Sequence, residues 1–348
     1  MVNFKSFRTL LSFLAAGMLV FACGKMPGAK PRAFGREKEI LVICDNDIWK
    51  NIEKAMRREI EAPLEAVRTE TVFEIAQVEA TVVSYYKEWD KLILIESLDA
   101  MHLLPEVVDD STLNVLKSGR GLFFSQIDIW ARGQRVVGIA APTREELLPL
   151  VKLNGNKIYT AFLRQLEQEE LQNMYVSGRD STLADSLAAA FGFRFLLPDV
   201  YERTSADSLP ENKLLFVHQD PVRSILITWF DNPGPLDTTQ AGLAVLRRQV
   251  TGDVYPGQET VEYRIKTSRV QANGIERLRV FGVWENRQEI SGGVFIDQVI
   301  DSPTQHRRFY IDCLLFCPDP RLNKYRYMFQ LDRIMDSFQI VAGAKPAT

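Results

Sequence analysis

The chain has 348 residues, of which 46% are hydrophobic and 25% charged, and its formal net charge is −3. This is the composition of an ordinary soluble globular protein. The mild acidity excludes the electrostatic footprint of a nucleic-acid binder, which calls for a basic domain.

Residues Met1 to Arg8 carry Lys5 and Arg8 and no acid. Leu10 to Ala22 is almost wholly apolar and gives way to Cys23-Gly24. A basic start, a short apolar core and a small residue before the cut describe a secretory signal. The run is shorter than the roughly 20 apolar residues a membrane span needs. A cysteine directly after the small residue makes this a bacterial lipoprotein signal, with Cys23 as the lipid attachment site. Gly24 to Arg36 holds Pro27, Gly28, Pro31, Gly35 and few apolar residues, so it reads as a tether. Lys25-Met26 stand where a surface-export signal is acidic, which favours the periplasmic face of the outer membrane. The expected layout is a signal peptide over 1–22, a flexible tether over 23–37, an α/β unit over 38–177, an antiparallel-sheet unit over 178–340 and a disordered tail over 341–348.

Roughly 310 residues remain after the signal and tether, enough for two ordinary domains. Glu39 to Cys44 is an apolar run fit for a buried strand, followed by a helix with Ile48, Ile52, Met56 and Ile60 on one face. Thr71 to Val78 and Lys91 to Glu96 read as strands, with a short helix around Thr81 to Glu88 between them. Leu122 to Ala131 and Gln134 to Ala140 read as a hairpin. Two helices follow, one with Leu147, Leu148 and Val151, the other with Ile158, Phe162 and Leu166. This alternation predicts a layered α/β unit ending near Ser177.

Beyond it, a helix carries Leu183, Leu187 and Phe191. Lys213 to His218 and Ser224 to Phe230 are strand candidates, and a helix carries Leu243, Leu246 and Val250. The last part is dense in strands: Val261 to Ser268, Glu276 to Trp284, Val294 to Ile300 and Arg308 to Phe316. Asn273-Gly274 is a hairpin turn signal. A final helix sets Tyr325, Met328, Leu331, Met335 and Phe338 in one stripe. The whole is expected to be α+β, with a layered α/β unit followed by a mostly antiparallel sheet with helices packed on one face.

Familiar catalytic signatures are absent: there is no G-x-S-x-G, H-E-x-x-H, P-loop or C-x-x-C. Three histidines far apart in sequence, His102, His218 and His306, give no metal-ligand spacing, so neither metal nor cofactor is expected. Cys44, Cys313 and Cys317 form an odd set, which argues against a disulfide framework and for small buried hydrophobes. Asp45 and Asp47 follow the first strand, where α/β folds place ligand crevices. They could hold a metal or work as acid and base, and capping of the next helix is the preferred reading. The five tryptophans could form a sugar-stacking platform, though core filling suits most of them. Glu285, Glu289 and Asp297, near Trp284, raise a glycosidase pair. Arg307, Arg308, Lys324, Arg326 and Arg333 would hold an anionic glycan or lipid headgroup if they converged.

Trp284-Glu285, Ser291-Gly292-Gly293-Val294-Phe295, Phe316-Cys317-Pro318 and Asn323-Lys324-Tyr325-Arg326-Tyr327-Met328 follow in order. Together with Asp45-x-x-x-Trp49, this series resembles a family of Bacteroidetes envelope lipoproteins that carries a domain of unknown function. The resemblance spans Lys38 to Ile340. It implies a lipid-anchored envelope protein and supplies no catalytic residues. The reading that follows is a non-enzymatic binding or assembly module, held to the membrane by its lipid, with an envelope protein or glycan as partner. An envelope hydrolase using a carboxylate pair and a lipid or lipoprotein trafficking factor are the alternatives. Asp45, Asp47, Trp284, Glu285 and Arg326 are the candidate ligand-binding residues.

If Cys23 is acylated, each buried methylene contributes about 0.8 kcal/mol and two or three chains anchor the protein firmly. Cys23→Ala, or globomycin treatment, is expected to change the apparent mass and shift the protein out of the membrane fraction. An unchanged mass and distribution would refute the anchor.

Overall fold

The computed structural model describes residues 29–64, 70–205 and 209–341. Cys23, the signal region and nearly all of the expected tail lie outside them. The expected tether is described from residue 29. From Pro31 on it does not hang free: Ala33 donates to Arg132 O and Phe34 to Glu88 O, while Phe34 O accepts from Asp90. These backbone bonds anchor a segment whose composition alone argued for freedom.

In chain order the elements are β1 (Glu39–Ile43), α1 (Asn46–Ile60), β2 (Pro63–Leu64), β3 (Glu70–Thr71), β4 (Glu74–Val78), a 3-10 turn (Ala80–Tyr85) and β5 (Lys91–Ser97). Then come α2 (Leu104–Val107), α3 (Asp110–Lys117), β6 (Leu122–Ile127), β7 (Arg135–Ala141) and α4 (Leu147–Asn173). The five-stranded sheet runs β4-β1-β5-β7-β6. Only β6 is antiparallel to its neighbour. Helices cover both faces, so β5 is buried along its whole length, as central parallel strands are. α1 and α4 pack one face with Ile48, Ile52, Val151, Ile158 and Phe162, and α2 and α3 pack the other with Leu104, Val107 and Leu116.

Two helices were expected over Leu147 to Leu166, and one 27-residue helix is found. Asn154-Gly155 reads as a break in sequence. In the fold a Cβ on Gly155 would lie 2.4 Å from Glu59 Cγ, so the glycine lets α1 and α4 approach closely. The short α2 and α3 were not anticipated. α3 starts at Asp109, whose carboxylate accepts from Thr112 N.

The second unit comprises α5 (Ser181–Phe191), β8 (Phe193–Arg194), β9 (Glu202–Arg203), β10 (Lys213–His218), β11 (Val222–Asp231), α6 (Gln240–Thr251), β12 (Glu259–Thr260), β13 (Lys266–Ala272), β14 (Ile275–Asn286), β15 (Ser291–Ser302), β16 (Arg307–Phe316), α7 (Lys324–Asp336) and β17 (Gln339–Ile340). Its antiparallel sheet runs β12-β14-β15-β16-β11-β10-β9, with β13 also pairing β14 through the Asn273-Gly274 turn. Alternation sends Ile225, Ile227 and Ile311 to one face, against Leu187 of α5 and Met328, Leu331 and Met335 of α7. Leu226, Tyr310 and Leu314 face the other way, against Leu243 and Val250 of α6. Helices thus pack against the antiparallel sheet as expected, with α6 adding cover to its second face.

α7 joins the two units. Its apolar stripe lies on the antiparallel sheet, while Tyr325 packs against the core of the first unit and donates to Glu167 at 2.6 Å. Arg326 bridges Glu37 at 2.6 Å and Glu170 at 2.7 Å. Gln330 also donates to Glu170, and Arg223 to Gln330. Lys38 donates to Pro320 O at 2.7 Å and Asn323 Nδ2 to Val72 O at 3.0 Å.

Glu170 is 1% exposed, so removing its cation leaves a buried charge. Arg326→Ala is expected to lower the unfolding free energy, read from denaturant titration, by about 2 to 3 kcal/mol, below the cost of breaking a fully buried pair because part of this arginine reaches water. An unchanged midpoint would show that Arg326 does not fasten the junction.

Candidate functional site

A cleft of about 630 Å³ opens at one end of the antiparallel sheet, lined by Glu285 to Arg287, Glu289 to Val294, Leu315 to Pro318, Pro320, Lys324 and, from the first unit, Glu70. Its walls follow from the strand register. β14 and β15 pair as far as Asn286↔Ser291, but β15 and β16 pair only from Val294↔Leu315 onward. After Phe316 the chain turns away through Cys317-Pro318 toward α7. Ser291, Gly292 and Gly293 are therefore paired on the β14 side only, and the cleft lies between them and the departing chain.

Gly293 is required by contact. A Cβ there would sit 2.2 Å from Leu315 O and 2.7 Å from Trp284 Nε1. The Trp284 ring is buried and lies over Gly293, and its Nε1 has no hydrogen-bond partner among the described residues. Glu285, the cross-strand partner of Gly292, is half-buried. The carboxylates of Glu285 and Glu289 make no hydrogen bond or ion pair among the described residues. The other charges are engaged: Lys324 pairs with Glu70, and Arg287 lies 4.0 Å from Glu259. Ile290, at the hairpin tip, is 94% exposed.

Glu285 thus lies at this cleft with the Gly-Gly and Cys-Pro segments, while Trp284 is buried behind Gly293 on the opposite face of the sheet. The other candidates lie elsewhere. Asp45 stands at the helix start but makes no capping bond. Its carboxylate lies 3.1 Å from His102 Nε2 and 4.0 Å from Arg144 Nη2, and Arg144 in turn donates to Asp99 at 2.9 Å. The preferred capping role therefore yields to a polar chain across the ends of β1, β5 and β7. Asp47 points outward to Lys50 and does not join Asp45. Arg326 is bound into the junction between the units.

The basic residues that would hold an anion if they converged are instead paired separately. Arg307 pairs with Asp231, Arg308 with Asp301 and Arg333 with Asp332. The tryptophans are dispersed: Trp49 lies beside Arg57, Trp130 beside Lys87, and Trp229 and Trp284 on opposite faces of the large sheet. Among the described residues no group of three His, Cys, Asp or Glu could hold a metal ion. Cys44, Cys313 and Cys317 are free and buried. Burial, then Asp45 and Glu79, pushes the Cys44 thiol up to about 12, which makes it inert.

Asp297 cannot reach a ligand. It is fully buried and stands directly opposite Asp312 across the β15–β16 ladder. Arg247 of α6, also buried, donates to Asp312 at 2.8 Å and lies 3.9 Å from Asp297. The Tyr310 hydroxyl donates to Asp297, and the Arg247 guanidinium stacks 4.0 Å from the Phe295 ring centre. Burial, and then the facing Asp312, raises the Asp297 carboxyl well above the usual carboxylate range, with Arg247 opposing. Sequence reading missed this network. Its signal was a lone Asp at the middle of each of two apolar strands, Val294 to Ile300 and Phe309 to Phe316.

Residues 33–175 match the family model of a domain of unknown function, DUF8532, and residues 180–337 match that of a second domain of unknown function, DUF4837. The chain therefore joins two domains to which no activity is assigned. No curated protein matches it. Among solved structures, the Saccharomyces cerevisiae Ran-binding protein Mog1p is similar at 12% identity and TM-score 0.32, over 43% of this chain and 90% of that one. A protein from Bacteroides thetaiotaomicron is similar at 10% identity and TM-score 0.26, over 44% of this chain and 47% of that one. LpqN of Mycobacterium tuberculosis, described as involved in cell envelope biogenesis, is similar at 13% identity and TM-score 0.27, over 43% of this chain and 83% of that one. At such scores none of these likenesses carries a function across.

The raised Asp297 carboxyl has a consequence for stability. Unfolding frees it to ionise at an ordinary pKa, so the unfolded state binds fewer protons and stability falls as pH rises from about 4 toward the folded-state value. Asp297→Asn keeps an acceptor for Tyr310 and has no proton to lose. Its stability relative to wild type is expected to rise between pH 5 and pH 8 in urea unfolding. A difference that stays constant with pH would show that Asp297 holds no proton.

Proposed function

We propose that this protein is a lipid-anchored, non-enzymatic binding module of the bacterial cell envelope, facing the periplasm from the outer membrane, and that it takes its ligand in the cleft beside Ser291-Gly292-Gly293. The observation that carries this is a cavity of ligand-binding size lined by Glu285, the Ser291-Gly292-Gly293 edge and the Cys317-Pro318 turn, with the Glu285 carboxylate unpartnered among the described residues. The signal-like start ending at Cys23 supports the anchor, and among the described residues no helix is long and apolar enough to cross a membrane. With Asp297 sealed in the sheet, the acids lining the cleft are Glu70, paired with Lys324, and Glu285 and Glu289, which have no partner among the described residues to orient them.

A larger groove of about 710 Å³ lies at the opposite end of β14 and β15, lined in part by Leu236, Ile275, Leu278, Val299 and Ile340. Its apolar floor favours a second reading, lipid or lipoprotein trafficking. The cleft is preferred because the charges of the groove are already matched, Arg269 to Glu276 and Asp301 to Arg308, whereas Glu285 is not.

A photo-crosslinking residue at Ile290, in the full chain in native envelopes, is expected to give a discrete adduct that the same residue at Asp47 does not, and Glu285→Lys is expected to abolish it. Adducts that are equal at both positions, or turnover of peptidoglycan by the pure protein, would overturn the proposal.

A further inference from the structure

Resting on that reading, the geometry points to an extended, basic peptide segment of a partner protein as the occupant of the cleft. It adds as a strand to the open edge of β15 at Ser291-Gly292 and sets a lysine or arginine against Glu285. Three observations carry this.

First, β15 runs on past its last pair with β16, Val294↔Leu315, while its pairing with β14 continues to Ser291. Gly293 is buried against Leu315 O, and Ser291 and Gly292 are left open. An overhanging edge offers unpaired backbone groups, and a strand laid beside them satisfies both chains. The open stretch is about 7 Å long at strand rise, enough to seat two residues. Second, Gly292 carries no side chain, so a second backbone can come close there. Third, the charge of the cleft is one-sided. Glu70 is neutralised by Lys324, with Lys38 4.0 Å away, while Glu285 and Glu289 face it without cations of their own.

Register then places the partner's charge. Glu285 and Gly292 are opposite each other, so their side-chain positions share one face of the sheet. A residue added beyond Gly292 lies on that same face about 10 Å from Glu285, two strand spacings away. Glycine puts nothing between them, and a long basic side chain spans the gap.

The test uses the purified mature chain and a capped heptapeptide, Val-Lys-Val-Lys-Val-Lys-Val, followed by titration calorimetry. Comparison peptides replace lysine with glutamate or carry N-methyl groups on alternate residues. The lysine peptide is expected to bind. Alternate N-methylation removes strand donors and is expected to weaken binding at least tenfold, and Glu285→Gln roughly tenfold. Because the Glu285 carboxylate bonds to no other described residue, this variant is expected to keep the wild-type melting curve. Equal binding of the N-methylated peptide would overturn strand addition, and equal binding of the glutamate peptide or by Glu285→Gln would overturn the charge assignment. No lysine-peptide binding alongside a cleft-specific crosslink at Ile290 overturns this inference and leaves the binding module standing, whereas loss of both overturns both.

Discussion

The docking of α7 (Lys324–Asp336) between the two units is the constraint on which the rest of the structure depends. A helix with one apolar stripe normally buries it in one core. Here Met328, Leu331 and Met335 are spent on the antiparallel sheet, while the start of the same helix is drawn into the first unit by Tyr325 and Arg326. Two sheets that could stand as separate bodies are thereby held in one arrangement. To reach this position the chain must leave β16 early, at Cys317-Pro318. That early departure leaves Ser291 and Gly292 paired on the β14 side only and opens the cleft. The fastening and the candidate site are consequences of one path of the chain.

The buried network behind the cleft fixes where that departure falls. A strand that slips by one residue moves its whole side-chain set to the other face. Asp297 and Asp312 are opposite each other and both meet Arg247 of α6. A one-residue slip of β16 on β15 would turn one of these acids into the apolar layer under α5 and α7, away from Arg247. Buried ion pairs are weak evidence for stability, and their best-attested use is to specify register. In this protein the register they specify sets the length of the β15 overhang.

Much of the fold was legible because its signals are local. The apolar run at Glu39 to Ile43, the alternation through Ser224 to Phe230 and the Asn273-Gly274 turn each specify an element without help from distant residues. The continuity of α4 was not legible, since Asn154-Gly155 looks like a break until α1 is packed beside it. Nor was the fate of the tether, whose order comes from backbone bonds to Arg132, Glu88 and Asp90 far along the chain. For the candidate site, Glu285 could be marked from the motif it shares with the Gly-Gly pair, and that motif also marks Trp284, which the fold buries away from the cleft. Asp45 and Arg326 were marked as ligand-binding candidates, but their contacts are with His102, Arg144, Glu37 and Glu170, whose positions only the folded chain supplies.

The contrast between Asp45 and Glu285 shows why chemistry is better sought at the second. Asp45 lies at the carboxyl ends of parallel strands, the position where α/β folds bind ligands. Yet its carboxylate faces His102 and Arg144, Arg144 is held by Asp99, and Asp99 also accepts from Ser97 at 2.6 Å. Each charge in that chain already has its counterpart within the protein, and a ligand would have to displace one of them. Along the junction the same holds: Glu37, Glu70, Glu167 and Glu170 all have donors. Glu285 departs from this pattern, since its carboxylate has no partner among the described residues and lines the cleft, where a proposed ligand would meet a charge that no group of the chain has to give up.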